Sequence, residues 1–321
     1  MRSAITTRRP RLVILRALGL GDFLTGVPAY RALARAFPGH YRILAAPVAL
    51  APLAEICGDI DEVVDSASLA PLDPALHGAD IAVNLHGRGP QSHRLLLETE
   101  PRRLIAFRND DVGVPADAPP FSDDEHEVQR WCRMLGESGI PAQARDLDLH
   151  PAPYCGPHNG ALILHPGASS ESRRWPIVRW IGLASQLLRD GNRVVLTGTQ
   201  SEFRRCRVIA RNAGIGIDCV LAGRTTLAGL ASLVAAARAV VCGDTGIAHL
   251  ATAVGTPSVV LFGPVSPAKW GPPAERAQHR VLWRGKPGDP HAPVVDPGLA
   301  SITVREVYGE LEALSARSRA G

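Results

Sequence analysis

Four stretches of the chain gather the residue types that chemistry requires: LGLGDFLTGVPA at 18–29, HPGASSESRRWP at 165–176, TGTQSE at 197–202 and GDTGIAHLATAVGTP at 243–257. The last is the most specific. An Asp-Thr-Gly turn follows an apolar run and opens a short helix, so the amides of Thr245, Gly246 and Ile247 are available to an anion. Gly246 allows close approach to the backbone, and Asp244 can accept hydrogen bonds from sugar hydroxyls. His249 lies one helical turn past Thr245 on the same side. It suits either that site or a buried position bonded to a backbone carbonyl. In the second stretch Ser169, Ser170 and Ser172 stand beside Arg173 and Arg174. Such donors match phosphate oxygens, although a polar surface loop anchored by Trp175 has the same composition. In the first stretch Gly19 and Gly21 form a turn, and Asp22 falls at a helix N-terminus, where a carboxylate is favoured. Asp22 is there either a simple cap or a ligand-facing group.

These stretches need strands behind them and helices after them, and the sequence supplies both. RLVILRA (11–17), RILAAP (42–47), EVVD (62–65), IAVNLH (81–86) and RRLIAF (102–107) are short apolar runs separated by helix-length segments. The first of those helices spans Phe23 or Leu24 to Phe37, with Pro28 near its first turn. That rhythm predicts a parallel α/β sheet. It breaks over Asn109–Asp124, a Pro- and Asp-rich loop, resumes as a helix over Glu125–Gly139, and breaks again at HPAPYCGPHNG (150–160). Beyond this linker the strand–loop–helix pattern restarts with ALILHPG, RVVLTGT, AVVCGDTG and PSVVLFG. It ends in the amphipathic helix VREVYGELEALSARS. Two α/β domains follow, residues 1–152 and 153–321, and the last helix is expected to return to the first domain. In parallel sheets ligands bind beyond the carboxyl ends of the strands, which is where all four stretches fall.

Composition narrows the partners. The 321 residues carry 35 basic and 31 acidic side chains, a net charge of +4. Lys269 and Lys286 are the only lysines, and the arginines are interleaved with acids rather than collected into a basic face. Nucleic acid is therefore not an expected partner. Cys57, Cys132, Cys155, Cys206, Cys219 and Cys242 stand apart without a C-x-x-C pair, which predicts isolated buried thiols and neither zinc nor redox chemistry. The opening MRSAITTRRPRLVIL is interrupted by arginine and then glycine, so no signal-peptide core is expected. The expected location is cytoplasmic, with at most peripheral contact with the inner face of a membrane.

Over most of its length, and in the same order, the chain resembles glycosyltransferase family 9, the ADP-heptose:lipopolysaccharide heptosyltransferase family. The resemblance rests on ILRALGLGDFLTGVPAYRALARAFPG, LHPGASSESRRWPIVRWIGLASQL, VVLTGTQSE and LAGRTTLAGLASLVAAARAVVCGDTGIAHLATAVGTPSVVLFGPVSPAKWGP. It implies a GT-B fold, two Rossmann-like domains with parallel sheets facing a central cleft, with the nucleotide sugar bound mainly by the C-terminal half and the acceptor by the N-terminal half. It implies inverting transfer without metal or cofactor, most closely from ADP-heptose. Asp22 takes the place of the family's catalytic base. Arg173 stands where the family pattern S-x-x-K-x-W-P has lysine, keeping the charge but presenting a planar fork. Ser169, Ser170, Asp244, Thr245, Gly246 and His249 match the donor side. Thr199 and Glu202 fall at nucleotide-contacting positions, Glu202 toward ribose hydroxyls, and Thr225 near the adenine. Gly19, Gly21, His86 and Arg88 lie on the acceptor side, the last two in a basic cluster with His93 and Arg94.

Other readings are weaker. GLGDFL meets a dinucleotide fingerprint only at its first two glycines, and no acidic residue ends the second strand, which disfavours a nicotinamide oxidoreductase. A non-catalytic nucleotide-sugar-binding protein would not need Asp22. The pairs Asp59-Ile-Asp61 and Asp146-Leu-Asp148 mimic metal-binding motifs but lie away from the predicted donor edge. The acceptor stays open: a lipopolysaccharide core, another lipid-linked glycan or a small natural product all suit the sequence.

Overall fold

The computed structural model describes residues 9–114 and 117–320. The opening segment considered for a signal peptide lies largely outside the described residues, as do Pro115 and Ala116 of the Pro- and Asp-rich loop. Two compact units divide the chain, Met1–Leu147 and Asp148–Gly321.

The first unit contains β1 (Arg11–Leu15), α1 (Leu20–Ala36), β2 (Tyr41–Ala46), α2 (Ala51–Cys57), β3 (Glu62–Asp65), β4 (Ile81–Asn84), α3 (Gln91–Glu98), β5 (Leu104–Ile105) and α4 (Glu127–Glu137). Its five strands form one parallel sheet in the order β3-β2-β1-β4-β5. Leu12 to Leu15 are fully buried because helices cover both faces, so β1 is a continuous apolar run rather than an alternating one. Between β1 and β4 the order of connection reverses, and loops at such a switch point diverge to leave a crevice at the carboxyl edge.

The second unit repeats the plan with β6 (Leu162–His165), α5 (Ile177–Arg189), β7 (Val194–Leu196), α6 (Phe203–Ala213), α7 (Leu227–Ala235), β8 (Ala239–Gly243), α8 (Gly246–Ala253), β9 (Ser258–Phe262), α9 (Pro267–Trp270), β10 (His279–Trp283), α10 (Pro297–Ser301) and α11 (Val304–Ala320). The parallel order is β10-β9-β8-β6-β7, with the switch point between β6 and β8. Trp175 and Trp180 meet edge to face, ring centroids 5.1 Å apart, and Trp175 donates to the Ile302 carbonyl at 2.9 Å. The closing helix α11 buries Val307, Leu311 and Leu314 in this same core, beside Leu183 and Leu187 of α5.

Two sequence expectations change. Helix α1 begins at Leu20, earlier than read, so Gly21 lies inside its first turn and Pro28 inside the helix rather than near its start. Burial of nearly the whole run from Phe23 to Leu33 outweighs the propensity costs of glycine and proline. The cysteines carry no disulfide, but Cys155 is exposed and Cys219 only half-buried. Among the described residues no helix is long and apolar enough to cross a membrane.

Gly26 is where α1 tolerates no side chain. A Cβ there would lie 2.5 Å from the Tyr30 hydroxyl and 3.2 Å from Arg16 Cδ. Gly26→Ala should therefore cost about 1–3 kcal/mol through overpacking, read as a lower urea midpoint with an unchanged slope.

Candidate functional site

Each switch point carries one of the polar clusters marked in the sequence. In the second unit the loop after β6 delivers Arg173, and the loop after β8 delivers Asp244 and Thr245. Arg173 Nη2 contacts Asp244 Oδ2 at 3.0 Å and also donates to the Asp244 carbonyl, while Nη1 reaches Ser169 Oγ at 3.3 Å. The planar fork thus serves two partners at once. Asp244 is 4% exposed. Burial pushes its carboxyl above the ordinary aspartate value, and Arg173 pulls it back down.

Thr245 precedes α8 in extended conformation, so the helix points its first-turn amides into the same corner. The Thr245 hydroxyl and Arg173 Nε are both buried without a hydrogen-bond partner. Two orphaned polar atoms beside a helix N-terminus indicate a position that a ligand or ordered water completes. His249 is half-buried one turn along α8, its ring edge-on to Trp270 at 5.8 Å.

The remaining hydroxyls divide. Ser170 and Ser172 both donate to the Pro290 carbonyl, Ser172 at 2.8 Å. They therefore tie the β6 loop to the segment before α10. Arg174 turns away to Glu171 at 2.9 Å and the Ala168 carbonyl at 3.0 Å.

Thr199 and Glu202 follow β7. The Glu202 carboxylate accepts the Thr199 amide at 2.7 Å and lies over Gly167 and Gly198, where an added Cβ would collide with it or crowd it. Thr225 sits one residue before the cap of α7, on the loop whose Gly223 abuts Gln200.

In the first unit Asp22 occupies the first turn of α1, with Gly19 rather than Asp22 as the N-cap. Burial raises its carboxyl above the ordinary value; Arg16 lowers it and Glu127 raises it further. Arg16 Nη2 stands 3.9 Å from Asp22 Oδ1. His86 follows β4, the neighbour of β1. Its imidazole is pushed down to about 4 by burial and then by Arg16, and its Nδ1 is buried without a partner. Arg88 is exposed, with Asp123 at 3.9 Å.

His93 does not join an exposed basic cluster. It is fully buried, held by the Phe107 carbonyl at 2.8 Å and Asn84 Nδ2 at 3.0 Å. The Asp-x-Asp pairs are likewise taken: Asp59 by Arg31, Asp61 by Arg42, Asp146 by Arg35 and Asp148 by Arg276.

Arg16 and Glu127 were not singled out from the sequence. The one available signal is a charged residue directly after the apolar run of β1.

Breaking the Arg173–Asp244 pair leaves a buried carboxyl alone. Arg173→Ala should destabilise the protein by about 3 kcal/mol near neutral pH, the low end of the cost of breaking a buried pair, because the Arg173 side chain is itself partly exposed. The variant's Asp244 carboxyl lies higher still, so the deficit grows as pH rises through the window above the ordinary aspartate value. It shrinks as pH falls toward that value, where both proteins carry the neutral acid. Urea denaturation at several pH values measures this. Arg173→Lys, which keeps the charge but not the fork, should fall between Ala and the parent.

Residues 105–289 match the model of glycosyltransferase family 9 (heptosyltransferase). Lipopolysaccharide heptosyltransferase 1 of Pseudomonas aeruginosa is 32% identical over 160 residues, which cover 48% of this chain and 44% of that protein. The matched segment thus spans less than half of the relative's length. The solved structure of Escherichia coli ADP-heptose lipopolysaccharide heptosyltransferase II superposes with a TM-score of 0.79 at 23% identity, over 96% of this chain and 99% of that one. Escherichia coli heptosyltransferase WaaC, solved with ADP, superposes at 0.69 and 18% identity over 95% and 99%. The two-sheet GT-B fold expected from the sequence is the fold of these neighbours, and the chain belongs to glycosyltransferase family 9.

Proposed function

We propose that this chain is an inverting glycosyltransferase that moves a heptose from ADP-heptose to a hydroxyl of a glycan acceptor without using a metal ion or cofactor. The observation that carries the reading is the corner formed by Arg173, Asp244 and the N-terminus of α8, with its buried unpartnered Thr245 hydroxyl and Arg173 Nε. A diphosphate satisfies these donors together: the guanidinium gives charge-assisted hydrogen bonds, and the helix amides add fixed partial charge. Asp244 then accepts from sugar hydroxyls, Glu202 from ribose hydroxyls, and Thr199 and Thr225 line the nucleoside. Membership of a family described by heptosyl transfer, and a fold neighbour solved with ADP, favour an adenosine-linked heptose as donor.

The first unit supplies the base. Asp22 takes the proton of the acceptor hydroxyl as its oxygen attacks the anomeric carbon in line. The new carbon–oxygen bond forms as the bond to the diphosphate breaks, and one displacement inverts the centre. The leaving ADP carries its developing charge to Arg173 and the α8 amides, which are already in place. The acceptor is a lipid-linked glycan of the lipopolysaccharide core type, met by Gly19, Gly21, His86 and Arg88 on the cytoplasmic side of the membrane.

Asp22→Asn should lower kcat roughly a hundredfold or more, the range of general-base help, while ADP still raises the melting temperature. Near-parent turnover would remove Asp22 from the mechanism. Because burial raises its carboxyl, kcat/KM should fall on the acid side with a midpoint above the ordinary aspartate value. A rate that collapses in EDTA and returns with a divalent cation would overturn the metal-free reading. Among nucleotide sugars, ADP-linked ones should give the largest thermal shifts.

A further inference from the structure

Arg16 is 1% exposed, and every nitrogen of its guanidinium is engaged. Nε donates to the Asp22 carbonyl at 2.5 Å, and Nη1 to the Leu85 carbonyl. Nη2 reaches Thr25 Oγ1 at 2.9 Å and Glu127 Oε1 at 3.1 Å. The cation lies 4.9 Å from the centre of the Trp131 ring. Glu127 is held in turn, by Trp131 Nε1 at 2.8 Å on one oxygen and by Arg130 on the other.

Every strong contact of this buried cation runs to the switch point of the first sheet or to the carboxylate that fixes it there. Burying an ion pair so completely is rarely the cheapest way to fill a core, because apolar side chains of equal volume do as well or better.

We propose that Arg16 and Glu127 form a positioning pair for Asp22, in which Arg16 fixes the first turn of α1 beneath the Asp22 carboxylate and Glu127 divides the guanidinium's charge. The proposal rests on Asp22 being the base. Arg16 stabilises the ionised, proton-accepting form of Asp22. Glu127 keeps that stabilisation partial, so the carboxylate stays basic enough to take a proton.

The other titratable groups facing this corner are Tyr30 from further along α1 and His86 from the loop after β4. Burial pushes the Tyr30 hydroxyl far up and the His86 imidazole down to about 4, so both are uncharged near neutral pH. Arg16 and Glu127 are left as the charges that tune Asp22.

The test is a carboxyl titration of protein labelled with ¹³C at aspartate side chains, followed by NMR without substrate. The Asp22 signal is identified by its loss in Asp22→Asn, and kcat/KM for sugar transfer is measured over the same pH range. Glu127→Gln keeps the shape of the side chain and removes its charge. It should move the Asp22 midpoint down by about one pH unit, the scale on which a neighbouring charge acts, and carry the acid limb of kcat/KM with it. Arg16→Gln should move both upward. A purely structural pair would lower activity or stability without opposite displacements of one titration. An Asp22 midpoint unmoved in Glu127→Gln overturns the proposal, whatever happens to activity and whether or not the Arg16 variant folds. A midpoint that moves while the acid limb stays put leaves the pair in place and removes Asp22 as the base.

Discussion

A parallel sheet covered by helices on both faces has no room for polar chemistry except at its ends, and this constraint organises the molecule. Each sheet here starts from a central strand, extends to one side and then crosses to the other. The loops leaving the two central neighbours must therefore diverge at the carboxyl edge, opening a crevice where charge can gather without cutting through the core. Asp22 and His86 stand at the divergence of β1 and β4, and Arg173 and Asp244 at that of β6 and β8. The same geometry that buries Leu12 to Leu15 and Val240 to Cys242 completely leaves the polar side chains to these places.

Charge burial is handled alike in both units. An arginine from the loop after the first strand compensates a carboxylate delivered from another element: Arg16 with Glu127, Arg173 with Asp244. In each case the guanidinium contacts a backbone carbonyl as well as the carboxylate, so it fixes main chain and charge together. Arginine suits this because its fork keeps a second direction free after the first is engaged. At Arg173 that second direction leads to Ser169, a contact that a lysine's single ammonium could not make while holding both Asp244 oxygens.

Much of this was legible in the residues, for stated reasons. Strands buried on both faces are nearly unbroken apolar runs, so β1, β6, β8 and β9 stand out directly. The Asp-Thr-Gly turn before α8 announces a helix N-terminus. Helix α1 was harder: Gly21 and Pro28 are turn residues by propensity, and only tertiary burial keeps them helical. Strand β10 was missed because it lies at the sheet's edge and mixes His279 and Arg280 with apolar residues, which dilutes the pattern. The pairing of Arg16 with Glu127 joins residues far apart in the chain, and no local spacing can reveal it. His93 illustrates the converse. Its neighbours Arg88 and Arg94 suggest a basic surface, yet Asn84 and the Phe107 carbonyl draw it inside.

The link from Ser170 and Ser172 to the Pro290 carbonyl has a thermodynamic meaning for the loop after β6. Held at one end by these hydroxyls and at the other by Arg173 on Asp244, the loop is ordered by the protein's own contacts. Ordering a loop on association commonly costs binding free energy, and here folding has met that cost in advance. For any ligand of this corner, more of the contact energy then remains for discrimination.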